Sequence, residues 1–474
     1  MATSELLLVA INVVVLGFFV VTNTFQSALM IGAAAELRSQ SRLGWGEGVE
    51  ALLGSRAAPV ITIVAPAYNE AATIAESVRS MLTLHYPRLQ VVVVNDGSAD
   101  ATLATLVDRF DLVPVPPAYR RSVATAPVHG LYRSRTTANL VVVDKENGGK
   151  ADALNAGLNV ATGDLVCAVD ADTLIEADAL LRVVRPFLGR DDVVATGGTI
   201  RIANGSVVRS GRVIRARVPR HALAGVQTVE YLRAFLYGRL GWNRLGGNLI
   251  VSGAFGLFSR QALLAVDGYL KDTVGEDMEL VVRLRRHGIE SGGPSAVVFV
   301  PDPVAWTEAP ESLRVLGRQR ERWHRGLTDV LVRHRRLLGN HRYGALGMIA
   351  LPYFVGIELL APVVEAVGLV GLGVALASGA VDLPFAGLFL LLSYGWGLLL
   401  SLSAVVLDQI VARRYTTWHD RALLLLWTVV ESVGYRQCTV YWRLRGLFRY
   451  ARKSHEWGAM TRVGFGTGDG LSRT

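Results

Sequence analysis

Long uncharged apolar runs at both ends of a more polar stretch constrain this chain more than any other feature. Residues 5 to 22 are almost uncharged. Extended to Ala35, that run exceeds the about 20 helical residues needed to cross a bilayer. Two more runs, Gly344 to Ala377 and Pro384 to Ala412, read as spans towards the other end. The first carries Pro352 and Pro362, which predicts a kink, or an interfacial section followed by a span. Of the 474 residues, 51% are hydrophobic and 19% charged. Soluble domains carry about 25% charged residues, so part of this chain belongs in lipid. Disorder, collagen and disulfide scaffolds are excluded. Cys167 and Cys438 lie far apart in unlike surroundings, so the soluble part is expected in a reducing compartment.

Basic residues set the orientation. The net charge of +9 is nearly all arginine, the only lysines being Lys145, Lys150, Lys271 and Lys453. The first apolar run lacks a basic start and is followed by Arg38, Arg42 and Arg56, the pattern of an uncleaved anchor with its N-terminus outside. Arg333, Arg335 and Arg336, and again Arg443, Arg445 and Arg449, mark a cytoplasmic face. A multi-pass protein of the inner or plasma membrane with a cytoplasmic soluble domain is expected. No basic stripe with interleaved aromatics and no zinc spacing is present, so nucleic acid is not an expected partner. Ala422 to Val430 is only about half a span before Glu431 and Arg436, which predicts an interfacial or re-entrant helix and a cytoplasmic tail.

Between Val60 and Val304, short β-branched runs alternate with helical stretches. Val60 to Ala65, Gln90 to Val94, Leu140 to Val143, Leu165 to Val169, Val193 to Ile202 and Val297 to Val300 read as buried strands of a mostly parallel sheet. Asn69 to Leu84, Ser98 to Phe110 and Lys150 to Ala161 read as helices, giving a doubly wound α/β domain. In such sheets ligands bind beyond the carboxyl ends of the strands. The domains expected are an anchor (1–35), a linker (36–58), the α/β domain (59–310), interfacial helices (311–343), C-terminal membrane and interfacial helices (344–445) and a tail (446–474).

Polar motifs collect at those strand ends. Pro66-Ala67-Tyr68-Asn69-Glu70 follows the first strand, Asn95-Asp96-Gly97-Ser98 the second, and Asp170-Ala171-Asp172 a later one. An Asp-x-Asp pair there can hold a hard divalent cation; elsewhere the same triplet is an ordinary solvated turn. Asn147-Gly148-Gly149-Lys150 opens a helix, where glycine N–H groups and a lysine suit a diphosphate, or form a plain helix start. Gly275-Glu276-Asp277 begins another helix, after a strand and loop over Leu249 to Gly256 that includes Gly253. The acidic pair complements the helix dipole, and a general base also suits that place. In the basic amphipathic helix over 311 to 337, Gln319, Arg322 and Trp323 share one face, fit for phosphate and a sugar ring or for an interfacial anchor.

Taken in order, these five motifs resemble the inverting family 2 glycosyltransferases. More narrowly, they are similar to the membrane-embedded processive synthases of cellulose, chitin, hyaluronan and poly-N-acetylglucosamine. The resemblance covers about residues 60 to 330 by motif, and Gln319-x-x-Arg322-Trp323 is its specific part. It implies a GT-A fold, a UDP-sugar donor, a growing polysaccharide acceptor and Mg²⁺ or Mn²⁺, and it allows a small accessory membrane subunit. Tyr68, Glu70 and Asp96 would hold the uridine, with Lys150 and Asp170 near the donor and Asp172 at the metal-bound diphosphate. Asp277, beside Glu276, would be the base. Gly253, Gln319 and Trp323 would meet the acceptor, and Arg322 the diphosphate. Trp457 and Arg462 lie in a tail stretch similar to gating segments.

Ala67 replaces a frequent hydroxyl residue, and Ser252 to Gly256 lacks the cellulose-type cysteine, so cellulose is a poorer expectation than poly-N-acetylglucosamine. Glu358 and Glu365, with Tyr353, Trp396 and Trp427, either line a sugar channel or pair with basic residues of neighbouring helices. Transfer of one sugar to a lipid acceptor, and a non-catalytic sugar-nucleotide-binding scaffold, are the alternatives.

Overall fold

The computed structural model describes residues 3–42, 58–209, 211–377, 379, 383–411 and 413–452. The described parts of Gln40–Arg217 and Asn248–Ala309 form one compact unit, and those of Met1–Ser39, Val218–Gly247 and Pro310–Gly458 another. Val218–Gly247, which falls inside the domain expected over 59–310, groups with the helical unit.

The α/β unit holds twelve strands: β1 (Ile61–Ala67), β2 (Leu89–Asp96), β3 (Leu112–Val115), β4 (Val128–Ser134), β5 (Leu140–Lys145), β6 (Leu165–Val169), β7 (Leu174–Ile175), β8 (Val193–Ile202), β9 (Val207–Arg209), β10 (Arg212–Arg215), β11 (Phe255–Ser259) and β12 (Ala296–Thr307). Ten make one sheet in the order β3-β4-β5-β2-β1-β6-β11-β8-β12-β7; β9 and β10 pair separately. Seven of the ten run one way and β4, β7 and β11 run against them, so the sheet is mixed and mostly parallel. β1, β2, β5 and β6 are almost wholly buried, as expected of valine-rich strands covered on both faces. Pro114 is tolerated because β3 is an edge strand.

Three expectations are displaced. The first helix starts at Ile74 and not at Asn69, because the backbone N–H groups of Asn69, Glu70 and Ala71 are taken by Ser98 Oγ (3.0 Å), Thr102 Oγ1 (2.8 Å) and Asp100 Oδ2 (3.1 Å). The second helix starts at Thr102 for the same reason: the side chains that would begin it hold the neighbouring loop. The strand expected near Leu249 lies at Phe255–Ser259, antiparallel between β6 and β8. A parallel strand there would need a long crossover, whereas a returning strand fills the gap directly. Gly157, on the helix Lys150–Val160, lets that helix approach β1: a Cβ there would lie 2.2 Å from Val64 Cγ1.

Among the described residues, two helices of the helical unit are long and apolar enough to cross a membrane by length and composition, Ala10–Gln40 and Leu346–Ala377. The second keeps its helical course past Pro352 through π-helical turns at Leu346–Ala350 and Phe354–Leu359, which absorb the missing donor. The apolar helix Trp396–Val411 is shorter. The apolar run Ala422 to Val430 belongs to a longer helical course: Trp418–Val430 continues through a π-helical turn at Glu431–Tyr435 into Arg436–Ala451. The charges that follow the run are paired inside the unit. Arg233 meets Glu431 at 2.6 Å, and Arg436 Nε donates to Glu365 Oε1 at 2.9 Å. Arg443 meets Glu358 at 3.3 Å. Of the two readings of Glu358 and Glu365, these contacts are those of structural pairing.

Candidate active site

Because β1, β2, β5 and β6 are mutually parallel neighbours, their carboxyl ends lie along one edge and carry Tyr68, Asp96, Lys145 and Asp170 there. Asn69 adopts φ +56° and accepts from the Ala99 N–H at 2.8 Å, which locks the loop after β1 to the loop after β2. Tyr68 is left 53% exposed at that lock. Glu70 accepts from the Thr73 hydroxyl at 2.8 Å.

Asp96 is buried, and its carboxylate takes three donors: Lys145 Nζ at 2.5 Å, the Gly148 N–H at 3.0 Å and the Gly149 N–H at 2.8 Å. This corrects the expectation of an open glycine cradle, because both glycine donors are spent on Asp96. The physical reason is register: β2 and β5 pair Asp96 with Lys145 and bring the turn after β5 back over the end of β2. Gly97 (φ +65°) and Gly149 (φ +84°) supply the left-handed backbone that this turn and the helix start require.

Lys150, first residue of its helix, reaches Asp170 Oδ1 at 2.5 Å and donates to the Gly253 carbonyl at 3.2 Å. Gly253 is held beside them because the Asp170 N–H donates to the Ala254 carbonyl at 3.4 Å. A Cβ on Gly253 would lie 3.3 Å from Lys150 Nζ and 3.4 Å from Asp277 Oδ2, so both charged groups converge on this glycine. Burial works against the Lys150 charge, but Asp170, Glu276 and Asp277 outweigh it and hold the ammonium pKa above its usual value. Burial pushes the Glu276 carboxyl up; Lys150 opposes this, and Asp277 adds to it. Glu276 and Asp277 occupy the first turn of the helix Glu276–Ser291, where the helix dipole favours the anion.

Asp172 is half-buried three residues beyond β6. Next to it, the Thr173 hydroxyl is buried with no hydrogen-bond partner. Among the described residues no three His, Cys, Asp or Glu side chains gather into a metal cage. The donor set here is hard oxygen, one or two carboxylates with a free hydroxyl, which fits a cation that completes its shell with water and phosphate.

Gln319, Arg322 and Trp323 belong to the helical unit, on the helix Leu313–Arg333. Trp323 is 44% exposed, and the Arg320 guanidinium lies 4.3 Å from its ring centroid. Arg320 is fixed by Glu230 Oε2 at 2.6 Å and by the Tyr435 hydroxyl at 3.3 Å. Gln319 Oε1 is buried without a partner, and Arg322 is half-buried. Trp457 and Arg462 lie outside the described residues.

The motif spacing passes over Lys145, Asp152 and Lys271, which form a second charged cluster beside Asp96. The signal that marks them is the scarcity of lysine: three of four lysines in an arginine-rich chain sit at this edge.

The sequence profile of the glycosyltransferase like family 2 matches residues 58–326. Poly-beta-1,6-N-acetyl-D-glucosamine synthases of Staphylococcus aureus (strain COL) and Staphylococcus epidermidis are each 28% identical over 274 residues, 58% of this chain and 56% of theirs. The chain thus spans about half the length of these curated relatives. Among solved structures, the mannosyltransferase PcManGT from Pyrobaculum calidifontis, in complex with GDP-Man and Mn²⁺, is 20% identical. It covers 87% of this chain and 99% of its own, with a TM-score of 0.49. S. aureus TarS 1-349 in complex with UDP-GlcNAc is 15% identical over 80% of this chain and 92% of its own, with a TM-score of 0.39. The family match spans every strand of the mixed, mostly parallel sheet, the GT-A arrangement that the motifs lead one to expect. With more than half its length inside that match, the chain belongs to the family 2 glycosyltransferases.

Proposed function

We propose that this protein transfers a hexosyl unit, N-acetylglucosamine or a related sugar, from a UDP-sugar to a growing β-linked polysaccharide at the cytoplasmic membrane face, with inversion and with a divalent cation. The observation that carries this reading is the convergence of Lys150, Asp170 and Asp277 on Gly253 at the carboxyl edge of the sheet. The family match and the poly-N-acetylglucosamine synthase relatives support the choice of donor and product.

In this reading the Asp277 carboxylate takes the proton of the acceptor hydroxyl while that oxygen attacks the anomeric carbon and UDP departs. Lys150, kept protonated by three carboxylates, presents a fixed positive charge to the diphosphate. Asp172 would hold the divalent cation, with Asp170 close by, and the cation would supply charge neutralisation at the leaving diphosphate. Tyr68 offers its exposed ring to the uracil, and Glu70 and Asp96 organise that end of the donor site. Gln319, Arg322 and Trp323 serve the diphosphate and the acceptor sugar, an assignment that rests on the motif resemblance.

The test offers the protein in membranes a panel of labelled UDP-sugars with Mg²⁺, sizes the product and digests it with linkage-specific hydrolases. Long hydrolase-sensitive chains are expected. Short lipid-extractable products refute processive synthesis, and no UDP release from any donor refutes transfer altogether. Asp277→Asn should abolish transfer and leave UDP binding intact; loss of UDP binding contradicts its role as base.

A further inference from the structure

Lys145 is fully buried at the end of β5. An ammonium has three N–H donors, and here each has an acceptor: Asp96 Oδ1 at 2.5 Å, the Glu146 carbonyl at 2.5 Å and Asp152 Oδ1 at 2.8 Å. No donor is left for a ligand, so Lys145 cannot act on substrate directly. What it joins is informative. Asp96 ends β2 and takes the Gly148 and Gly149 N–H groups, which set the start of the helix that begins at Lys150. Asp152 lies in the first turn of that same helix, accepts from the Ala126 N–H at 3.0 Å, and pairs with Lys271 ahead of Glu276 and Asp277.

We infer that Lys145 is the positioning residue of the donor site: by bridging Asp96 and Asp152 it fixes the helix start that aims Lys150, and through Asp152 and Lys271 it ties that start to the loop leading to Asp277. The inference rests on the donor-site reading above. Lysine suits the place because its ammonium is a compact point charge with three donors, whereas a guanidinium is larger and planar. Burial alone would raise the Asp152 carboxyl pKa, but its bonds to Lys145 and Lys271 more than offset this and hold it low. A merely structural ion pair would be expected to affect stability and the fraction of active protein. A positioning role changes the affinity for one substrate.

The experiment uses the full chain in detergent and measures donor KM, acceptor KM, kcat and thermal midpoint for Lys145→Met, Lys145→Met/Asp152→Asn and Lys271→Met. The double variant removes the ammonium together with one carboxylate, so the net charge of the cluster is unchanged and Asp96 keeps its two glycine N–H donors. Lys271 is 44% exposed, and its loss removes only the outer arm. Expected are a donor KM raised about tenfold or more in both Lys145 variants and a few-fold in Lys271→Met, with acceptor KM unchanged. If Lys145→Met does not fold, the other two variants decide. An unchanged donor KM in folded Lys145 variants, or in both remaining variants, overturns the inference while the family activity stands. A wild-type protein that releases no UDP from any UDP-sugar overturns the donor-site reading instead.

Discussion

Replacing Lys150 by methionine keeps most of the apolar stem, one atom shorter, and removes one charge from a cluster of three carboxylates. Lys150 and Asp170 touch at 2.5 Å with side chains 26% and 25% exposed, so water reaches the pair and the deep-interior Coulomb limit does not apply. At an effective dielectric of about 20, a pair of charges about 4 Å apart interacts by roughly 4 kcal/mol before desolvation is subtracted. Net destabilisation of about 1 to 2 kcal/mol follows, read as a fall of a few degrees in the thermal midpoint. The effect on turnover is larger, because a fixed cation facing developing charge typically contributes about a hundred- to a thousandfold in kcat. The pH profile supplies an independent sign. Glu276 loses the cation that opposes its protonation, so its carboxyl pKa rises further. The anionic form of Glu276, beside the base, is lost as pH falls through that pKa, so the acid limb of the rate profile should move to higher pH. UDP release from detergent-purified protein across pH 5 to 9, with a coupled enzyme assay, reads both effects. Wild-type turnover and an unmoved acid limb in a folded Lys150→Met protein would refute the placing of Lys150 at the diphosphate.

Gly157→Ala should lose about 1 to 3 kcal/mol of stability in a denaturant titration, because its methyl meets the rigid Val64 side chain at 2.2 Å; an unchanged midpoint would show that the helix can lift off β1 freely. Cys167 is buried, and desolvation holds its thiol well above the usual range. It should stay unmodified by iodoacetamide at pH 8 until the α/β unit unfolds, as peptide mass mapping would read. Tyr68→Ala removes an exposed ring and should raise donor KM while the thermal midpoint stays within about 1 °C. Glu365→Gln leaves Arg436 without its carboxylate and should lower the detergent thermal midpoint, whereas Glu365→Leu/Arg436→Leu should recover it; equal loss in both would contradict the pairing.

Much of the fold was readable from residue order alone. Valine-rich runs bounded by Asp, Asn and Gly could only be covered strands, and successive parallel strands must end on one edge, so Asp96, Asp170 and their neighbours were bound to collect there. The uncharged N-terminal run was equally explicit about a helix long and apolar enough to cross a membrane. Hydrophobic periodicity, however, reports which face of an element is covered and not which partner covers it. Only tertiary structure decided that β11 returns antiparallel beside β6 and brings Gly253 to Lys150 and Asp170. Only strand register decided that Asp96 faces Lys145, and with it that the glycine N–H groups turn inward to a carboxylate and not outward to a ligand. Glu365 and Arg436 stand 71 residues apart in the chain, and their charges find each other because an unpaired charge costs most where water is scarce. Such contacts depend on distance in space, which no local pattern of residues encodes.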